Sequence, residues 1–169
     1  PFAKNKVQGN VTTVEFTPST KKTRLYLMLL PEWSANFPPF NTARLAAVAK
    51  KAGYETKCLD LNIKIYNVFR KVIEEGGIDF DPWDGAKEWK WLKQTYYTEL
   101  HPHVEPVLKE YIQQIVDWKP SIVGFTMYYC NEEPIKWVAT ELKRLLPNIK
   151  IAVGGPNVAL RIHQFQEEY

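Results

Sequence analysis

Apolar positions along the chain follow two rhythms. Residues 23–30, "TRLYLMLL", are almost continuously apolar, which predicts a strand covered on both faces. "YETKCLDLN" (54–62) alternates and predicts a second strand, "SIVGFTMYY" (121–129) a third and "IKIAVGG" (149–155) a fourth. Between them the apolar period lengthens to three or four. "TARLAAVAKKAG" (42–53) predicts a helix with Leu45, Ala46, Val48, Ala49 and Ala52 on its apolar face, Asn41 as N-cap and Gly53 as its stop. "IKWVATELKRLL" (135–146) predicts another, with Asn131 as N-cap, Glu132 and Glu133 at the positive helix end, Pro134 in the first turn and Pro147 as terminator.

The second and third strands are joined by a long crossover, residues 63–118. "IKIYNVFRKVIEEGG" reads as helical, "DPWDGAKEWKWLKQTYYTELHPH" is tryptophan-rich, and "VEPVLKEYIQQIVDWK" has a clean helical stripe through Val107, Leu108, Tyr111, Ile112, Ile115 and Val116. Strand, helix, strand, long crossover, strand, helix, strand is the pattern of an α/β fold. The expectation is a doubly wound, mainly parallel, Rossmann-like (flavodoxin-like) sheet with helices on both faces and a helical Trp-rich insertion. Residues 1–22, with the β-leaning patch "VTTVEF", read as a lead-in arm or edge strand, and residues 23–169 as the domain itself. Such sheets bind ligands beyond the C-terminal ends of their strands. Here those ends are 31–40, 62 onward, 126–131 and 154–158.

Composition adds mostly exclusions. At 45% apolar and 24% charged residues the chain can build a packed core. A net charge of +3, dispersed along the sequence, does not form the concentrated basic face of a nucleic-acid binder. The two cysteines, Cys58 and Cys130, lie in apolar surroundings and read as buried reduced thiols. No apolar run approaches the roughly 20 residues that span a bilayer, the N-terminus has no signal-peptide core, and the expected location is the cytoplasm. The chain starts without Met, as a processed or partial sequence does.

Few residues carry chemistry of their own. Gly154 and Gly155 mark either a tight turn or a close backbone approach to a ligand, and Thr126, at the end of another strand, places a hydroxyl in the same layer. "ELHPHVE" (99–105) sets Glu99/His103 and His101/Glu105 at metal-ligand spacing. Pro102 argues against a regular helix there, so a solvated loop or helix start is the reading preferred, and His163 has no partner in sequence. Trp83, Trp89 and Trp91 among lysines suit packing of the insertion better than base stacking. Asp79, Asp81 and Asp84 lack the closing Glu of a calcium loop. With no GxGxxG, GxxxxGK[ST], GxSxG, triad or carboxylate pair, any chemistry must be carried by a cofactor.

Several segments taken in order resemble a known family. "LLPEWSANFPPFNTARLAAVAKKAGYETKCLDLN" and "PSIVGFTMYYCNEEPIKWVATELKRLLPNIKIAVGGPNV" are similar to the N-terminal cobalamin (vitamin B12)-binding domain of cobalamin-dependent radical S-adenosylmethionine enzymes. The shared features are a proline-rich loop after the first strand, a "LAA" helix ending at "AG", a D-x-N after the second strand, "VGF[ST]" in the third and "GGP" after the fourth. Together they cover roughly residues 24–160.

The resemblance implies cobalamin lying across the C-terminal strand ends with its nucleotide tail running into the sheet. It implies a site made of Thr126, Met127 and Tyr128, of Gly154, Gly155, Pro156 and Asn157, and of the loop residues Glu32, Trp33, Ser34, Asn36 and Phe37. Where the family often has His after "GGP" this chain has Asn157, and the DxHxxG that supplies a cobalt-ligating His elsewhere is missing. No axial ligand, metal ligand or catalytic residue is therefore expected. Two isolated cysteines cannot hold a [4Fe-4S] cluster. The cluster and S-adenosylmethionine are expected in a downstream radical SAM domain, after a fifth strand, with methyl transfer or related radical chemistry as the activity of the whole enzyme. Two rivals remain: a flavodoxin-like or receiver-like module whose tryptophans contact a protein, and a flavin- or nucleotide-binding module.

Overall fold

The computed structural model describes residues 23–160. The arm at 1–22 and His163 lie outside them. Four strands form one all-parallel sheet in the order β2-β1-β3-β4. They are β1 (Arg24–Leu29), β2 (Glu55–Asp60), β3 (Ile122–Thr126) and β4 (Lys150–Gly154). The helices are α1 (Phe40–Lys51), α2 (Leu61–Glu74), the single turn α3 (Lys93–Thr95), α4 (His101–Trp118), α5 (Glu132–Leu145) and α6 (Pro156–Leu160). This is the flavodoxin-like α/β arrangement that the alternation of periods predicts, with the Trp-rich segment between β2 and β3.

Strand periodicity divides the sheet into two unequal faces. Tyr26, Met28 and Leu30 of the β1 segment, with Val123, Phe125 and Met127 of the β3 segment, point into the main core. There they meet Leu61, Ile65 and Phe69 of α2, Leu108, Ile112 and Ile115 of α4, and Ile135, Val138 and Leu142 of α5. The other face carries Leu27 paired with Gly124, Gly124 with Ala152, and Thr126 with Gly154. Among the described residues it is α1 that packs on it, against β1 and β2. It does so through small buried residues, Thr42, Ala46 and Ala49, which let the helix approach closely.

This one-sided cover corrects the helical-wheel reading of α1. Leu45 and Val48 are 55% and 60% exposed, and Ala52 is exposed too, because among the described residues no second helix lies beside α1 over β3 and β4. The edge strands explain another departure. Cys58, on outer strand β2, is exposed rather than buried.

Local signals account for several boundaries. Asp60 Oδ1 accepts from the Ile63 amide at 3.2 Å and caps α2, so that helix starts at Leu61 and takes over the end of the predicted second strand. α1 begins at Phe40 with Pro39 in the capping position, and Asn41, the expected cap, lies inside the helix. Pro102 sits in the first turn of α4, where its missing N–H costs nothing, and α4 ends at Lys119 in a left-handed conformation before Pro120.

Candidate functional site

At the C-terminal edge of the sheet, the uncovered face of β3 and β4 becomes a groove of about 320 Å³. Its floor is Leu27, Gly124 and Ala152, its wall is Asn41, Thr42 and Leu45 of α1, and its rim is Thr126, Val153, Gly154 and Gly155. The surface is mostly apolar, with two hydroxyls set into it. Thr42 Oγ1 and Thr126 Oγ1 come from different elements and lie 3.4 Å apart, both buried. The floor is low because two adjacent strands place Gly124 and Ala152 side by side. A Cβ at Gly124 would meet Leu27 Cδ2 at 2.8 Å.

The two glycines of the "GGP" loop have different jobs. Gly155 is required by the fold: its φ is +116°, and a Cβ there would lie 2.6 Å from the Met127 carbonyl oxygen. Next to it, the Met127 amide donates to the Gly154 carbonyl at 2.7 Å and ties the two strand ends together. Gly154 faces open space, with nothing within 4 Å of an added Cβ. It is the glycine that leaves room.

A second, aromatic constellation flanks the groove. Trp33, from the loop after β1, stacks on Tyr128, from the loop after β3, with centroids 4.3 Å apart and planes at 19°. Tyr128 Oη accepts from Asn41 Nδ2 at 2.9 Å, and burial pushes the phenol above its ordinary range. The Trp33 amide donates to Asn62 Oδ1 (3.0 Å) and Trp83 Nε1 donates to the Trp33 carbonyl (2.9 Å). The D-x-N after β2 thus has a physical account: Asp60 caps α2, and Asn62 holds both the loop and the insertion.

Asn131 is the residue that the sequence reading placed in the wrong role. Although it occupies the N-cap position of α5, its side chain makes no cap. It is fully buried; Nδ2 donates to the carbonyls of Leu30 (3.2 Å) and Thr126 (3.1 Å), and Oδ1 accepts from the Tyr128 amide (2.8 Å). One amide therefore fixes the ends of both central strands. Only its distance from a strand end in the sequence hinted at this.

The remaining expected site residues are spread around this edge. Thr126, Gly154 and Gly155 line the groove. Met127 points to the opposite face, beside Ile135 and Val158. Asn157 is buried, its Nδ2 lacks a hydrogen-bond partner among the described residues, and it lies outside the groove lining, as does exposed Pro156. Ser34 Oγ accepts from the Asn36 amide, and Asn36 and Phe37 are exposed.

Glu32 is drawn to a different cluster. Its carboxylate, that of Glu88 and the Cys130 thiol place one donor atom each within 4.8 Å of one another, and Cys130 Sγ donates to Glu88 Oε1 at 2.6 Å. Burial pushes the Glu32 carboxyl up, helped by the nearby charges of Glu88 and Asp81. Burial, then the bond to Glu88, holds the Cys130 thiol far above its ordinary range. A thiol kept protonated is neither a nucleophile nor a thiolate ligand at neutral pH. Cys130 is thus the buried reduced thiol that its sequence neighbours suggest, with a hydrogen bond to Glu88 that they do not show.

The insertion packs rather than displays its tryptophans. Trp91 is fully buried, Trp83 half-buried, and they meet each other at 5.2 Å and Phe69 at 6.0 and 5.7 Å. Trp89 alone of the three is exposed. The histidine spacing also resolves into packing: Glu99 pairs with Lys90, His103 packs on Phe69, and His101 bonds to Tyr96. No helix among the described residues is long and apolar enough to cross a membrane. No protein-family model, curated protein or solved structure matches this chain.

Proposed function

We propose that this chain is a cobalamin-binding module, and that the groove between α1 and the β3–β4 face receives the cofactor's nucleotide tail. The observation that carries the reading is the groove itself. It opens at the C-terminal strand ends, its size falls within the range of small-molecule sites, about 300–1,000 Å³, and Gly124 and Ala152 keep its floor low beside Leu27.

The residues present fit such a group. Gly154 leaves room at the rim, Leu27, Leu45 and Ala152 offer an apolar bed, and the Thr42 and Thr126 hydroxyls can each donate or accept. Asn41 and the stacked Trp33–Tyr128 pair flank the entrance and would meet the macrocycle. Among the described residues, no histidine lines the groove. When bound, cobalamin supplies a cobalt centre that carries a methyl group or takes part in a radical step. The chain's own residues bind, orient and shield it. The iron–sulfur cluster and S-adenosylmethionine of a radical SAM enzyme would belong to another domain, since the sequence has only two cysteines.

The test is retention. Purified protein mixed with hydroxocobalamin and desalted should keep the corrin absorbance bands at close to one equivalent. A colourless, folded protein would sink the proposal, and retention of a flavin instead would favour the flavin-binding rival.

A further inference from the structure

Three segments far apart in the chain each bring one metal-binding group to the strand ends. Glu32 comes from the loop after β1, Glu88 from the 3-10 turn Gly85–Trp91 of the insertion, and Cys130 from the loop before α5. One carboxylate oxygen of each glutamate and Cys130 Sγ all lie within 4.8 Å of one another. None of the three lines the groove, so what they hold stands apart from the cobalamin reading.

The cluster is short of positive charge. No lysine or arginine among the described residues forms an ion pair with either glutamate. A thiol carries a single hydrogen, and Cys130 gives it to Glu88 Oε1 at 2.6 Å, so Glu32, facing the same sulfur, competes for it.

A second observation, of a different kind, points to a ligand beside Glu32. Asn62 is 1% exposed, and its Oδ1 accepts from the Trp33 amide, the backbone group that follows Glu32, at 3.0 Å. The same oxygen accepts from Trp83 Nε1 at 3.1 Å. Two donors on one atom fix which end of the side chain is oxygen, and Nδ2 is left buried without an acceptor among the described residues. A water held on a cation at Glu32 is such an acceptor.

We propose that Glu32, Glu88 and Cys130 form a zinc site, open to water at its fourth position, that pins the Trp-rich insertion to the loops after β1 and β3. The donor set selects the metal: a thiolate disfavours magnesium and calcium, and one sulfur with two carboxylate oxygens suits a borderline ion such as zinc. At the usual Zn–O and Zn–S lengths, tetrahedral geometry sets donors about 3.3–3.8 Å apart. The cluster therefore tightens by about 1 Å at most, which side-chain rotation of exposed Glu88 can supply. The exposed side of Glu88 also gives the ion its way in.

Binding exchanges one cation for another. The Zn–S bond forms as the S–H bond breaks, and the proton leaves to solvent, because a coordinated thiol is deprotonated outright. Cys130 is thus a thiol in the metal-free protein and a thiolate only under the ion. Burial favours the thiol, so the metal must compete with a firmly held proton and binds more tightly as pH rises.

Cobalt(II), which takes zinc's place in such sites and reports a thiolate by charge-transfer absorbance, is the probe. The reduced whole chain, freed of metal by a chelator, would be titrated with Co²⁺ and then with Zn²⁺. Wild type should give a saturable, one-to-one charge-transfer band that Zn²⁺ erases, with affinity rising about tenfold per pH unit for the one proton released. Cys130→Ser should lose the band. Glu32→Gln and Glu88→Gln, folded by far-UV dichroism, should weaken binding by at least about tenfold, and Cys58→Ser should bind like wild type. Zn²⁺ should also raise the urea midpoint of wild type but not of Cys130→Ser. The site is overturned if folded wild type gives no charge-transfer band, if Cys58→Ser removes the band, or if Glu88→Gln binds as wild type does.

Discussion

The α-carbon of Gly155 sits against the backbone of Met127, so close that a Cβ would come within 2.6 Å of the carbonyl oxygen and 3.0 Å of the amide nitrogen. Backbone, unlike the tip of a side chain, cannot step aside. Gly155→Ala should therefore cost on the order of 2–4 kcal/mol, from positive-φ strain plus the clash, in urea unfolding at neutral pH. Gly154→Ala, with free space around it, should change stability by less than about 1 kcal/mol. Equal effects at the two positions would contradict the division of labour drawn here.

Asn131 makes a second stability prediction. Asn131→Ala removes one side chain and leaves the Leu30 and Thr126 carbonyls and the Tyr128 amide without their partner. The expected loss is on the order of 3 kcal/mol in the same assay. If the residue were only a helix cap, Asn131→Ser would restore wild-type stability; the account predicts that it does not.

The tryptophans separate packing from display. Trp91→Ala empties a fully buried site among Phe69, Trp83 and Tyr96 and should cost about 3–5 kcal/mol. Trp89→Ala, at a position 51% exposed, should stay within about 0.5 kcal/mol of wild type. A comparable penalty at both would mean that Trp89 is covered in solution.

Glu32 carries a pH dependence of its own. Its carboxyl is raised by burial, so the folded state takes up a proton at higher pH than the unfolded chain. Its effect on stability is unfavourable above the folded value, and eases as pH falls through that value to the unfolded one near 4.5. Glu32→Gln should accordingly raise the urea midpoint at pH 7, and the gain should shrink as the solution is acidified into that window. A variant less stable than wild type at pH 7 would show that the charged carboxylate is held favourably.

Much of the fold was legible because its signals are local. The unbroken apolar runs of β1 and β3 and the helical stripes of α4 and α5 each report their own surroundings. What the sequence could not show depends on neighbours distant in the chain. Leu45 and Val48 look like core positions on any helical wheel, and only the absence of a second helix among the described residues leaves them in the open. Asn131 sits where a cap belongs, yet its amide is taken by a carbonyl 101 residues away. Glu88 and Cys130 meet across 42 residues. At the candidate site, Thr126 and the glycine pair were legible as strand-end residues of unusual type. Thr42 was not: a threonine in a first helical turn looks ordinary until β3 places a second hydroxyl opposite it.

The most direct test of the cobalamin reading exploits Gly154, a rim position with free space around an added Cβ. Wild type and Gly154→Phe would be titrated with hydroxocobalamin and followed by visible absorbance, with urea unfolding as the control. The account predicts saturable, near-stoichiometric binding to wild type and a loss of at least about tenfold in affinity for the variant, at nearly unchanged stability. Equal binding by both proteins, or no binding by folded wild type, would contradict it.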